Sequence, residues 1–351
     1  MMSAEPGELS YPFAEKPLPG KIVFVAPGVA WLRMPLPIAL NHINLWLLED
    51  EQGWTIVDTG VSNDETRNLW EQIFSCHLNG KPVNRLIVTH MHADHVGLAG
   101  WLAERWKVEL CMSGLEYFTC RVLVADTGKE ALEEGLRFYY EAGFDEESLD
   151  VYRSRFGMFG SFIGKLPQKY RRLADGDSLR MAGQDWKVIV GRGHSPEHVC
   201  LFCPALNLFI AGDQILPRIS PNVSVRPTEP AANPLQEWLD SCEALPRALP
   251  KNVLVLPSHG YPFHGAHQRW QQLIVDHESA LTRLYDLCRE PQRAVDTFPA
   301  LFNSAVDSHS LIIATGEGLA HLNYLLEKGR LRMTRDKDGV KHYEGVKSDR
   351  H

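Results

Sequence analysis

The sequence predicts an α/β protein built around sheets, followed by a helical second part. Three observations predict it. Strand-sized apolar runs alternate with short helical patterns through the first half of the chain. A histidine-rich segment, Thr89-His90-Met91-His92-Ala93-Asp94-His95, follows one of those runs directly. After about residue 267 the strand character gives way to long helical patterns and a terminal hairpin.

Residues 43–49 and 54–57 are β-rich runs flanking the turn sequence Asp50-Glu51-Gln52-Gly53, so they read as a hairpin. Asp58-Thr59-Gly60 follows, then a helix over about 64–74 that puts Leu69, Trp70, Ile73 and Phe74 on one face. A strand over 85–89 enters the histidine segment. A helix over 97–105 and a strand near 108–112 come next. Residues 115–172 read as a helical, aromatic-rich insertion. Leu132, Leu136, Tyr139 and Tyr140 share one helical face, as do Leu149, Tyr152, Phe156 and Phe159, and Gly143 is placed to end the first helix. The insertion is expected either to pack its rings on the main body or to form a lid over an apolar pocket. Its basic run Lys169-Tyr170-Arg171-Arg172 reads as a solvated face.

Strands are expected again at 178–181, 186–190, 199–202 and 208–211. A long helix is expected over 268–289, and an amphipathic helix through Leu319, Leu322, Leu325 and Leu326 that ends at Gly329. Residues 331–334 and 340–343 flank a turn, and helices with a terminal hairpin suggest a winged-helix-like module. The division expected is a catalytic domain over 1–267 and a C-terminal module over 268–351.

Composition narrows the function classes. The 351 residues carry 36 Lys+Arg and 44 Asp+Glu, a formal charge of −8, which argues against a chain-wide nucleic-acid footprint and a polybasic membrane anchor. No apolar run reaches the length of a membrane span, and the N-terminus has acids and prolines instead of a signal-peptide pattern, so a cytoplasmic location is expected. The seven cysteines are odd in number and scattered. Cys200-Leu-Phe-Cys203 reads as part of a buried strand instead of half a zinc site.

The chemistry concentrates in the histidine segment. In an extended stretch, residues i and i+2 point the same way, so His90 and His92 are spaced to hold one ion. The chain then turns, and Asp94 and His95 can face a second ion. This H-x-H-x-D-H motif resembles that of the metallo-β-lactamase superfamily of hydrolases, the dinuclear glyoxalase II-like branch in particular. Four further segments resemble the family's in the same order: Asp58-Thr59-Gly60, Gly193-His194-Ser-Pro-Glu197-His198, Ile210-Ala-Gly-Asp213 and Leu256-Pro-Ser-His259-Gly260. The resemblance implies an αββα sandwich. It implies His90, His92 and His194 on one ion, Asp94, His95 and His259 on the other, and Asp213 bridging them, with Asp94 and Asp213 positioning the hydroxide. Glu197 stands where many relatives have glycine.

Imidazole and carboxylate ligands suit two divalent ions, zinc first, with iron or manganese as alternatives. Two such ions lower the pKa of a shared water and make hydroxide available at neutral pH for attack on a carbonyl or phosphorus. Asp58, His42 and His198 are candidates to orient the ligands. His264 is a candidate on the substrate side, although it, His267 and Arg269 also fit a surface or helix entry. The leading expectation is hydrolysis of a thioester such as an acyl-CoA, or of a related small ester, with a lactone as the next choice. An endoribonuclease is the rival, resting on the basic residues Lys328, Arg330, Arg332, Arg335, Lys337 and Lys341 of the C-terminal module. Retention of His92 weighs against a diiron electron carrier. The partner expected is a small molecule, with no membrane and with a homodimer allowed.

Overall fold

The computed structural model of the chain describes residues 9–37 and 40–346. Two sheets organise its first part. The first runs in sequence order: β1 (Ile22–Ala26), β2 (Val29–Pro35), β3 (His42–Asp50), β4 (Gly53–Val57), β5 (Val83–Ile87), β6 (Leu110–Ser113) and β7 (Tyr170–Leu173). Its first four strands are antiparallel, and from β4 onward neighbours are parallel. The parallel steps need crossovers. These are α1 (Asp64–His77) before β5, the pair α2 (Ala93–Val96) and α3 (Ala99–Trp106) before β6, and a stretch opened by α4 (Gly114–Ala125), α5 (Lys129–Glu141), α6 (Glu146–Arg155) and α7 (Met158–Ser161) before β7.

The second sheet contains β8 (Ser178–Met181), β9 (Gln184–Gly191), β10 (His198–Cys203), β11 (Leu208–Gly212) and β12 (Leu254–Pro257), in the order β12-β11-β10-β9-β8. Only the β11–β12 step is parallel. It is spanned by a connection that includes α8 (Pro234–Ala248). Then come α9 (Ala266–Leu287), α10 (Phe298–Leu301), α11 (Leu311–Glu327) and the hairpin of β13 (Leu331–Arg335) with β14 (Lys341–Gly345).

Strand periodicity splits the first sheet's side chains between two cores. Trp31, Trp46, Leu48, Val57 and Ile87 face the second sheet, where Met181, Trp186, Val188, Val199, Leu201 and Ile210 meet them. The alternate positions Leu32, Leu45, Leu47, Ile56 and Leu86 face Trp70, Ile73 and Leu102 of the covering helices. Phe209 on the second sheet packs edge-on against Trp270 at the start of α9. The result is the expected α/β sandwich, helices outside and sheets within. Helix α1 starts where Asn63 accepts the Thr66 amide at 2.7 Å, with Asp64 and Glu65 in its positive first turn.

The chain forms two compact units, each discontinuous in sequence. The first comprises Met1–Ala125, Gly157–Pro221 and Ala244–Trp270 and holds both large sheets; the second comprises Asp126–Phe156, Asn222–Glu243 and Gln271–His351. This differs from a single boundary at 267/268 with one insertion over 115–172. Helices α4 and α7 belong to the first unit, α5 and α6 to the second. The cause is where the rings of α5 and α6 go. Phe138, Tyr139, Phe144 and Tyr152 bury against one another. Gly143 ends α5 at φ +106°, and beside it the Ala142 carbonyl accepts the Val295 amide at 3.2 Å. Glu141 pairs with both Arg335 and Lys341 of the terminal hairpin at 2.9–3.0 Å. The Leu319 pattern belongs to a helix longer than its own leucines announce, beginning at Leu311. Among the described residues no helix is long and apolar enough to cross a membrane, and all seven cysteines are free thiols.

Candidate metal centre

The candidate ligands stand at the C-terminal ends of strands from both sheets. Asp58 follows β4. Thr89 to His92 follow β5, and α2 then carries Asp94 and His95. His194 lies between β9 and β10, Asp213 immediately after β11, and His259 just beyond β12. A backbone bond from the Val199 amide to the Thr89 carbonyl, 2.8 Å, ties the histidine segment to the second sheet.

The structure brings all seven expected ligands together in two groups. His90, His92, His194 and Asp213 form one, and Asp94, His95 and His259 the other, with the ligand atoms of each within 4.8 Å of one another. Asp213 stands between them. Its Oδ2 lies 3.5 Å from His194 Nε2 and 3.6 Å from His95 Nε2, and its Oδ1 lies 3.5 Å from His259 Nε2. Asp94 Oδ2 is 3.4 Å from His259 Nε2 and 3.7 Å from His95 Nε2. Two atoms each about 2.0–2.1 Å from one tetrahedral ion stand roughly 3.3 Å apart, so these spacings are those of ligand edges.

Hydrogen bonding behind the rings sets which nitrogen faces inward. A carboxylate or carbonyl oxygen only accepts, so each ring nitrogen that faces one carries the proton. His95 Nδ1 donates to Asp58 Oδ2 at 2.8 Å, and His259 Nδ1 donates to the His42 carbonyl at 2.8 Å. The Thr89 hydroxyl donates to Asp58 and so accepts from His90 Nδ1 at 3.1 Å. His90, His95 and His259 thus turn Nε2 inward. His90 Nε2 then aims its lone pair at His92 Nδ1, 2.9 Å away, and at His194 Nε2, 3.3 Å away. His95 Nε2 and Asp213 Oδ1 are buried without a hydrogen-bond partner among the described residues. Ring nitrogens and carboxylate oxygens crowded onto common points, beside buried polar atoms left over, are what a cation resolves. The donor set therefore fits divalent metal ions.

Electrostatics agree. Burial, then the surrounding rings of His95, His198, His92 and His194, hold His90 well below its ordinary pKa, so it is a neutral ligand. Burial opposes charge on His95 and His259, but their carboxylate neighbours win. Asp94, Asp58 and Asp213 hold His95 well above the ordinary imidazole value, and Asp213 and Asp94 push His259 up to about 10. Burial likewise works against the Asp213 carboxylate, and His259 and His95 more than offset it, keeping it ionised. A metal ion held here would displace the protons of His95 and His259, imidazoles that already face anions. His92 and Asp94 are the half-buried members of the seven, so the centre opens on their side.

The supporting residues were partly foreseen. Asp58, at φ +63°, accepts the Thr89 amide at 2.7 Å as well as His95. His198 stacks on His90 at 4.6 Å, and its Nε2 accepts the Asp213 amide at 3.0 Å. His42 Nε2 accepts the Gly260 amide at 3.0 Å. His264 is a correction: its Nδ1 lies 3.1 Å from the carbonyls of Asn252 and Val253, before the start of β12, whereas His259 lies beyond that strand's other end. It is an anchor for the chain, not a substrate-side group.

Two supports escaped the sequence reading. Asn44, buried in β3, donates to the carbonyls of Pro257 and Gly260 at 2.8 Å each and accepts from Trp31 and Arg33. It holds the His259 turn. Glu116, fully buried near the start of α4, accepts the Met91 amide at 2.9 Å and the Glu197 amide at 2.8 Å. It thus ties the His90–His92 segment to the His194 segment. Burial raises its pKa, against the hydrogen bonds from the Glu197 and Met91 amides. The signal for both was a lone polar residue inside an apolar run, INLWLL and GLEYF.

Comparison with known proteins agrees with the fold and the centre. Residues 39–259 match the family model described as "Metallo-beta-lactamase superfamily", and residues 281–346 match "Metallo-beta-lactamase-like, C-terminal domain". The chain belongs to the metallo-β-lactamase superfamily and carries that family's C-terminal domain. It is a metallo-hydrolase with a metal-binding site of histidines and aspartates. It is similar to the crystal structure of a β-lactamase domain protein from Burkholderia ambifaria, with 43% identity, a TM-score of 0.89, and coverage of 96% of this chain and 98% of that one. It is also similar to the probable metallo-hydrolase YqjP of Bacillus subtilis, 24% identical over 84% of this chain and 91% of the relative. A third relative is the acyl-coenzyme A thioesterase MBLAC2 of Bos taurus, 23% identical over 66% of this chain and 78% of the relative.

Proposed function

We propose that this metallo-hydrolase cleaves thioesters of the acyl-CoA type, using two divalent ions, zinc first, held by His90, His92 and His194 and by Asp94, His95 and His259, with Asp213 shared. The observation that carries this is the position of Asp213, within 3.5–3.6 Å of ring nitrogens from both ligand groups. Bound there, two ions supply Lewis acidity and a water acidified toward neutral pH. The chain's own residues do the rest. Against burial, His95 and His259 hold the Asp94 and Asp213 carboxyls below their ordinary values, so both are anionic and would accept a hydrogen bond from a water bound there. Asp58, the Thr89 hydroxyl and the His42 carbonyl keep the imidazoles aimed. The cysteine behind the centre, Cys200, has its thiol pushed well up by burial, so it is no thiolate nucleophile. A thiolate leaving group, from a thiol of pKa about 8.5, departs without a strong acid, which suits a site whose carboxylates are held ionised. The order of the ligand segments supports kinship with the glyoxalase II-like branch, and the thioesterase relative supports the substrate class.

The endoribonuclease alternative has less support. Arg335 and Lys341 pair with Glu141, Arg332 pairs with Glu344, Arg330 stacks on Tyr285 and Lys328 on Tyr324, so most of the C-terminal basic residues are engaged within the chain. The deciding experiment gives metal-loaded protein acyl-CoA, acyl-glutathione, lactone and single-stranded RNA substrates. Turnover of acyl-CoA, lost in Asp94→Ala, is expected. Turnover of the lactones or RNA alone overturns the proposal.

A further inference from the structure

Most rings of the 115–172 stretch are spent on packing, but one set of apolar side chains is not. Leu115, Phe118 and Val122 of α4 are 50–58% exposed, and Met158 and Phe162 at α7 are 45% and 37% exposed. The three on α4 fall at i, i+3 and i+7, one face of one helix. Helix α7 meets α4 where Gly160 lies against Val124. All five belong to the first compact unit.

This face begins at the metal centre. Glu116, next to Leu115, holds the Met91 amide between the two ligands His90 and His92, and the Leu115 amide donates to Glu197 at 3.1 Å, three residues beyond His194. At the other side the Phe162 carbonyl accepts the Ser62 amide at 2.9 Å. The Gly164 amide donates to Gly97, the residue that closes the α2 helix of Asp94 and His95. The face is thus fastened to both ends of the 90–97 segment. Going outward from Leu115 to Val122, seven residues of helix span about 10 Å, roughly the reach of an extended eight-carbon chain.

We propose that this face is the wall on which the apolar acyl group of the substrate lies, so that the enzyme favours medium-chain acyl thioesters over acetyl ones. The proposal rests on the thioesterase reading and adds the chain-length preference to it. An exposed helix face covers only one side of a chain, so each methylene up to about eight carbons is expected to gain roughly twofold in kcat/KM, half of what full burial supplies.

Two measurements test it. The first compares metal-loaded protein on acetyl-, butyryl-, octanoyl- and dodecanoyl-CoA. The second is calorimetric binding of the non-hydrolysable thioethers ethyl-CoA and octyl-CoA to the same protein, which needs no turnover. Octanoyl-CoA should exceed acetyl-CoA at least tenfold in kcat/KM, and octyl-CoA should bind at least tenfold tighter than ethyl-CoA. Phe118→Ser and Val122→Asn should shrink both ratios, while Phe24→Ser, at an exposed phenylalanine of β1, should leave them as they are. Equal binding of the two thioethers overturns the acyl wall. Absence of turnover with every acyl-CoA, alongside tighter octyl binding, overturns the thioesterase reading and keeps the wall. A dimer lost in Phe118→Ser with an unchanged thioether ratio assigns the face to a second copy of the chain and overturns the proposal.

Discussion

The Asp58 carboxylate lies 2.8 Å from His95 Nδ1 and also receives the Thr89 amide at 2.7 Å, so one buried anion fixes both the ring of a ligand and the start of the ligand segment. A ligand whose rear proton is held this way is a better donor to a metal, and losing such a support typically costs 10–100-fold in affinity. Asp58→Asn keeps a residue type that tolerates φ +63° but offers one acceptor where the carboxylate offers two. Competition with a chromogenic chelator should show metal affinity reduced about 10–100-fold in Asp58→Asn, with stability falling further in Asp58→Ala. Parent-like affinity in Asp58→Asn would remove Asp58 from the support of His95.

Asn44 makes four hydrogen bonds from inside β3, and its two donor contacts hold the turn that presents His259. Asn44→Asp preserves the acceptor for Trp31 and Arg33 but faces the Pro257 and Gly260 carbonyls with oxygen. A buried acceptor pressed on acceptors costs about 2–5 kcal/mol. Denaturant unfolding should show that loss, and metal analysis should show fewer ions retained per chain. A variant as stable as the parent, with full metal content, would mean the His259 turn holds itself.

The contrast between His95 and Asn44 shows where the sequence is legible. Metal ligation is written in residue types at short spacing, so His90, His92, Asp94 and His95 stand out within one segment, whereas His194, Asp213 and His259 are single residues that only the resemblance of their segments to the family's pointed to. Asn44 acts on a carbonyl 213 residues away, and Glu116 joins amides 25 residues before it and 81 after it. Neither partner pattern has a local signature, since any backbone carbonyl or amide can serve. The helices of 115–172 were legible as amphipathic, but their apolar faces do not say what they meet. That is why α5 and α6 proved to belong to the unit containing Val295 and the terminal hairpin.

Gly212 precedes Asp213 at φ +53°, and a Cβ there would lie 2.3 Å from His198 Cε1. The glycine lets the His198 ring pass behind the chain and accept the Asp213 amide. Gly212→Ala combines a left-handed backbone with an impossible contact, and should destabilise by about 2–5 kcal/mol while reducing bound metal. The double variant Gly212→Ala/His198→Ala removes the clash and should recover part of the stability lost by Gly212→Ala alone. A thermal midpoint no higher in the double variant would show that the contact with His198 is not what requires glycine.

The second unit carries its own pH dependence through a buried histidine pair. His321 Nδ1 donates to the Glu317 carbonyl at 2.8 Å, so its Nε2 accepts from His277 Nδ1, 3.2 Å away. Burial lowers His277 to about 3, helped by the His321 ring beside it, and lowers His321 to about 4, against its hydrogen bond to the Glu317 carbonyl and helped by Arg283. In the unfolded chain both titrate near 6.5, so below that pH the unfolded state binds protons that the folded state refuses. The stability they leave intact at neutral pH is therefore lost as the pH falls from about 6.5 toward 4, at about 1.4 kcal/mol per pH unit for each ring and up to about 3 kcal/mol per ring at pH 4. Hydrogen exchange read by mass spectrometry should show peptides from α9 and α11 opening more readily at pH 5 than at pH 7, after correction for the intrinsic exchange rate. His321→Gln should flatten that difference, because one titrating ring is gone. The readout is taken on α11 and on the part of α9 beyond Trp270, both in the second unit, so loss of metal from the first unit on acidification does not imitate it. Glu317 in the same helix, pushed up to about 7 by burial, takes up a proton in the folded state over this range and offsets part of the loss, so the comparison is also made in Glu317→Gln, where unchanged opening of α11 would mean that the pair takes up protons without cost to the fold.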